Sequence, residues 1–237
     1  MNRLYGIISL LLMTLSFGGG SPVAAQEVQE GSKRTREALA RLVPVRAEGL
    51  LVSWRGKRVN PVRVAGFRWS APEGQSGLAA AEAFLEAFPE LLSAPSSSLE
   101  LARTESVRGR TVFRFGQRFE GMDVLGAEVV VQTDGQGAVL SIADESVRFK
   151  LAPISDIGYA RAVEAAWLEV TGHVPTIAIP EGPEPTAFAR KAVLARGGTP
   201  RLVYRVLVPT IPMVEKIVCL VDGETGEVVQ KTNEVIR

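Results

Sequence analysis

The chain has 237 residues, 46% of them apolar, with 27 Lys and Arg against 26 Asp and Glu, one His and one Cys. That apolar share is ample for a packed core and excludes a charge-rich disordered chain. The near-zero net charge removes the usual electrostatic footprint of general nucleic-acid binding, and a lone cysteine excludes an internal disulfide.

The first residues read as an export signal. Arg3 supplies a positive start, residues 4–17 an apolar run, and Gly18, Gly19, Gly20, Ser21 and Pro22 a break. Val23, Ala24 and Ala25 are the small residues that precede a signal-peptidase cut, so cleavage is expected after Ala25. A spanning helix takes roughly 20 apolar residues, more than this run offers, so a secreted or periplasmic product is expected, with no membrane partner after cleavage. Loss of Arg3 brings the 27 cations down to 26, level with the 26 acids. The remaining roughly 210 residues suit one large domain or two small ones.

Charge is uneven along the mature chain. Residues 31–70 hold ten cations, from Lys33 to Arg68, against Glu37 and Glu48, a local charge of about +8. The stretch reads either as a docking surface for an acidic partner or, more simply, as the solvated face of an N-terminal β-hairpin.

Residues 78–88 place Leu78, Ala81, Phe84, Leu85 and Phe88 on one helical face, with Glu82 and Glu86 turned away and Pro89 closing the helix. Residues 111–119 alternate, so Phe113, Phe115, Gln117 and Phe119 share one side of a strand. A second strand is predicted over 127–133, a tight turn over 134–137 and a third strand over 138–142. The order then recurs. Asp156 is the expected N-cap of a helix burying Ala160, Val163, Trp167 and Val170, with Gly172 just past its end. Pro175, Pro180, Gly182, Pro183 and Pro185 mark an irregular loop. Residues 201–208 alternate, and 217–221 lead through a turn at 222–226 into a last strand over 227–231.

Asp134 and Asp222 lie 88 residues apart, as do Val131 and Cys219, which reads as an internal duplication and gives Cys219 a packing role in place of a valine. The expected fold is α+β, with two tandem modules, each a helix packed on its own antiparallel sheet. The boundaries are 1–25 for the signal peptide, 26–150 for the first module and 151–237 for the second.

The central stretch carries a family resemblance. Arg114, Phe115, Gln117, Phe119, Gly121, Val124, Leu125 and Gly126 match, position by position, the pattern of the fungalysin/thermolysin propeptide module, with Gly116 and Asp123 departing from it. Downstream, 201–206 and 221–228 resemble a PepSY module. The resemblance implies an N-terminal propeptide module followed by a PepSY-like one, both cystatin-like in fold. It also implies an intramolecular chaperone and inhibitor whose partner is a thermolysin-like metalloprotease, acting in trans or as a split zymogen. The alternatives are an extracytoplasmic interaction module with another partner and a truncated zymogen fragment.

Catalysis by the chain itself is not expected. A zincin needs two histidines one helical turn apart, and His173, just past the predicted helix end at Gly172, is alone. No Ser-His-Asp or Cys-His site is supported, and the acid pair Glu82 and Glu86 reads as a solvated helix face. No catalytic residue, metal ligand or cofactor is therefore assigned. The residues expected to face a protease or fix a turn are Arg114, Gln117, Gly121 and Gly126. Gln117 is the unusual one, since an amide among three phenylalanines must find partners, either across an interface or in neighbouring backbone that fixes the 120–125 turn.

Overall fold

A computed structural model describes residues 22–45, 49–54, 60–71, 75–175, 188–195, 199–209 and 215–235. The leader ahead of residue 22 and the proline-rich loop at 180–185 lie outside them, and Ala25 falls in the first turn of a helix.

That helix, α1 (Pro22–Ala40), replaces the expected hairpin over the first part of the basic stretch. Pro22 suits a helix start, and Glu30 with Arg34 and Lys33 with Glu37 pair one turn apart on the exposed side. Thr35, Ala38 and Leu42 supply a narrow buried stripe, and the Thr35 hydroxyl donates to the Glu90 carbonyl at 3.1 Å. The hairpin follows α1: β1 (Leu51–Ser53) pairs antiparallel with β2 (Arg63–Trp69).

Next come α2 (Leu78–Ala87), β3 (Leu99–Val107), β4 (Arg110–Phe119), β5 (Met122–Asp134) and β6 (Val139–Asp144). The second half holds α3 (Gly158–Thr171), β7 (Ala189–Leu194), β8 (Arg201–Pro209), β9 (Glu215–Asp222) and β10 (Val228–Val235). The predicted helix at 78–88 and the strands at 111–119 and 201–208 stand as read. Strands β3 and β7 are additions, and β5 begins five residues before the predicted 127.

One feature corrects the expectation of two separate sheets. The ten strands among the described residues form one sheet, in the order β1-β2-β6-β5-β7-β8-β9-β10, with β4 pairing β5 and β3. The two halves join where Asp123, Val124 and Leu125 of β5 run parallel to Ala192, Val193 and Leu194 of β7. Each helix still covers its own half. Under α2, Phe67, Phe84, Phe113, Phe115, Val129 and Val131 are buried, with the Phe67 and Phe84 rings stacked at 5.5 Å. Under α3, Tyr159, Ala162, Val163 and Ala166 pack on Tyr204, Val206, Cys219 and Val221; of the predicted stripe Val163 is fully buried, Trp167 and Val170 pack half-buried at its margin, and Tyr159, Ala162 and Ala166 take the centre in place of Ala160. Between the two, Val124, Ala127 and Val193 form a small third core roofed by Phe119, Val147, Phe149 and Leu151. Cys219 is fully buried in the α3 core, and burial pushes its thiol pKa up, as a packing cysteine requires.

Candidate functional site

The four predicted residues lie on β4, β5 and the turn between them, and they do four different things. Gln117 is 5% exposed, and its Nε2 donates to the Val147 carbonyl at 2.8 Å while the Val147 N–H donates to its Oε1 at 2.9 Å. Its amide thus stands in for a strand neighbour, and it fixes the segment after β6 rather than the 120–125 turn. That segment carries Val147 and Phe149 into the third core, where the Phe119 and Phe149 rings sit 5.1 Å apart. Replacing Gln117 with Ala should leave both Val147 backbone groups unpartnered and cost about 2 kcal/mol in a denaturant melt. A loss below a few tenths would contradict the clamp.

The 120–125 region shapes itself. Phe119 and Met122 close a two-residue hairpin loop in which Glu120 has φ 49 and Gly121 φ 81, the left-handed pair that matches strand twist. Gly126, at φ 78, sits in a bulge where Gly116 pairs with Glu128 but Arg118 pairs with Asp123, so four residues of β5 oppose Gln117 alone. The bulge swings the start of β5 to where β7 can pair with it. Arg114 lies on the opposite face, its Nε and Nη1 donating to Glu105 at 3.2 Å and Glu128 at 3.0 Å. Beside it Arg118 binds Glu100 at 2.8 Å and Asp123, and the Glu100 hydrogen bond heads the causes that raise its pKa. Structure therefore joins Gln117, Gly121 and Gly126 around the third core and leaves Arg114 in an ion ladder outside it.

Sequence reading missed the most buried carboxylate among the described residues. Asp144 is 1% exposed and receives hydrogen bonds at both oxygens, from Ser93 N and Oγ at 2.8 Å each and from Ser146 N and Oγ at 2.9 and 2.5 Å. The available signal was a carboxylate two residues past a predicted strand and two residues before a serine.

The second half has its own polar cluster. Asp156 sits one residue ahead of the helix cap Ile157, not at it, and its Oδ1 accepts from Gly158 N at 3.0 Å and from the Tyr204 hydroxyl at 2.5 Å. Lys191 Nζ lies 2.7 Å from the other oxygen. Burial acts to raise the Asp156 pKa, but the hydrogen bonds from Lys191 and Tyr204 outweigh it and hold the carboxyl below its ordinary 3.8. Burial, then the Asp156 carboxylate, pushes the Tyr204 phenol far up. A carboxyl depressed on folding contributes stability that is present above its unfolded pKa and lost as pH falls through the folded one. Asp156→Asn should therefore lower the melting temperature at pH 7 and flatten its decline below about pH 4. Parallel melting curves for parent and variant through that window would contradict the coupling.

The turns after β5 and β9 share an aspartate anchor, with offsets that differ by one residue. Asp134 Oδ1 accepts from Gln136 N and Ala138 N, both at 2.9 Å, and Asp222 Oδ1 from Glu224 N and Thr225 N, both at 3.0 Å. Gly137 N donates to Asp134 O and Gly226 N to Asp222 O, each at 3.0 Å. His173 is exposed just past α3, and no group of three or more His, Cys, Asp or Glu among the described residues could hold a metal.

With this geometry in place, the class of the region is defined: residues 98–146 form a propeptide-like region of the thermolysin/fungalysin type. They match the family model described as Fungalysin/Thermolysin Propeptide Motif, a propeptide motif and not a catalytic domain. The matched span runs from the start of β3 through Ser146 and contains Arg114, Gln117, Gly121, Gly126 and Asp144. Among solved structures the chain is similar to the Bacillus megaterium YpeB C-terminal domain, at 14% identity and a TM-score of 0.41, over 92% of this chain and 99% of that one. No curated protein matches.

Proposed function

We propose that this is an exported, non-catalytic protein that chaperones and inhibits a thermolysin-like zinc metalloprotease, supplied in trans or as one part of a split zymogen. The observation that carries the reading is the propeptide-motif match over 98–146, a span that runs through β3 to β6 and contains the buried Gln117 and Asp144. The second half acts as a PepSY-like module in this reading, supported by the aspartate-anchored turn that recurs after 88 residues, at Asp134 and Asp222. Export with cleavage after Ala25 delivers it to the compartment where such a protease folds.

A partner that binds the native protease and not its unfolded chain stabilises it by mass action, which raises refolding yield and blocks the cleft together. Titration of a thermolysin-like peptidase from the same organism should therefore give reversible inhibition and a higher refolded fraction. Without a tether the effective concentration, commonly in the mM range for short linkers, is absent, so the affinity must reside in the interface. No inhibition at about tens of micromolar by folded protein, across every such peptidase the genome encodes, would remove this reading.

A further inference from the structure

We propose that the free edge of β3, with the groove between it and α2, receives an extended peptide segment of a partner protein that carries an apolar side chain and, two residues along, a lysine or arginine. Among the described residues β3 pairs with β4 alone, and nothing outside β4 hydrogen-bonds to the backbone of residues 101–107. A bulge at Ala102 interrupts the pairing, beyond which Arg103 to Val107 keep unbroken register with β4. Those five residues leave on their outer side the backbone donors and acceptors that an added strand takes up. Two of the eight large hydrophobic side chains exposed among the described residues belong to this strand, Leu101 at 41% and Val107 at 51%.

The groove opens on one side of this edge. Helix α2 packs chiefly on β5 and β6, and beside it Leu85, Leu99 and Phe115 floor a groove of about 260 Å³. Its rim is Glu82 and Glu86 of α2 with Ser96 and Ser97, so the lining holds two acids and no base. Register sets Leu101 opposite Phe115 and Thr104 opposite Phe113, which leaves the α2 side of the β3 edge without charge. Glu100, Arg103 and Glu105 fall on the other side, in the ion ladder of Arg114 and Arg118. Glu82 and Glu86 are exposed one helical turn apart and form no ion pair among the described residues, whereas Glu37 of α1 and Glu90 just past α2 each hold a cation.

Together these features specify the occupant. A strand edge binds an extended backbone, and every second side chain of the added strand turns to the α2 side. One of these meets the Leu85, Leu99 and Phe115 floor and must be apolar. The next in that row lies beside Glu82 and Glu86, where a long cationic side chain offsets two like charges held one turn apart. A second copy joined β3 to β3 would present Leu101, Thr104 and Ser106 on this face and Arg103 on the other, which leaves both glutamates unmatched. The inference does not rest on the protease reading, since a segment of any partner protein with this pattern satisfies it.

Anisotropy of a fluorescein-labelled peptide, Thr-Val-Thr-Val-Thr-Lys-Thr, titrated with the exported protein tests this. Binding should fall in the range of about tens of micromolar at low salt and weaken as salt is raised. The E82Q/E86Q variant, altered only at exposed side chains, should bind about tenfold more weakly with its salt dependence gone, and a peptide with Glu in place of Lys should bind the parent as poorly. Methylating alternate backbone nitrogens of the peptide removes strand donors without touching its side chains, and should cost at least about tenfold in affinity. Amide exchange at residues 103–107 should slow when the unmethylated peptide binds. No binding at about 1 mM, equal binding of the methylated peptide, or indifference to E82Q/E86Q overturns the proposal. So does self-association in peptide-free solution that Leu101→Thr abolishes, which assigns the edge to a second copy.

Discussion

Replacing Asp144 with Ala is expected to cost about 3–5 kcal/mol, the larger part of a marginal domain's stability, and to lower the melting temperature by on the order of 10 °C. The carboxylate gathers four donors from Ser93 and Ser146 where water barely reaches, since Asp144 is 1% and Ser146 0% exposed. Two of these donors are backbone N–H groups, of Ser93 and Ser146, that cannot rotate to another partner. The Ser146 hydroxyl that donates to Asp144 also accepts from Ala94 N at 3.0 Å, so one carboxylate orders the chain after α2 and the chain after β6 together. Asp144→Asn should recover only part of the loss, because either orientation of the amide turns an NH2 group toward a backbone N–H. Ser146→Ala, which removes one donor and one acceptor, should cost about 1–2 kcal/mol. Guanidinium unfolding of the three variants measures the series. Full stability in the Asn variant would mean that shape, not acceptor count, holds the junction.

Elements with a strict period are the ones legible in the sequence. Helix α2 and strand β4 each repeat a clean apolar interval, and both lie where that interval puts them. Helix α1 does not announce itself, because among its described side chains the fully buried ones are Thr35 and Ala38, with Leu42 beyond the helix, set among Lys, Arg and Glu. Strand β3 is an edge strand exposed on both faces, so no alternation marks it; its length comes from pairing with β4 along Val107 to Leu99. Strand β7 is short, and its place is fixed by a parallel partner far earlier in the chain. That joint explains why one sheet replaces two. It needs the Gly126 bulge to swing residues 123–125 out, and a bulge leaves no periodic trace beyond a glycine in a strand. Of the site, the buried amide at Gln117 was readable as a residue in need of partners, whereas the identity of its partner, Val147, depends on how the chain returns after β6.

The two aspartate-anchored turns should respond unequally to the same change, Gly137→Ala costing about 3–4 kcal/mol and Gly226→Ala about 1–2. Both glycines occupy the left-handed region, at φ 85 and φ 78, so both variants carry the strain of a Cβ there. Their surroundings differ. At Gly137 a Cβ would meet Ser76 Cα and Cβ at 2.7 Å and Gly77 N at 3.0 Å, backbone that leads directly into α2 and cannot yield without moving the helix start. At Gly226 the nearest atom within reach is Ile157 Cδ1 at 3.7 Å, an ordinary contact. The difference follows from what each turn abuts: in the first half the turn presses on the entry to the helix, and in the second an extra residue between Asp222 and Gly226 sets the glycine clear. Denaturant unfolding of the two variants reads it directly, and equal losses would show that left-handed strain alone, not the close approach to Ser76, governs both turns.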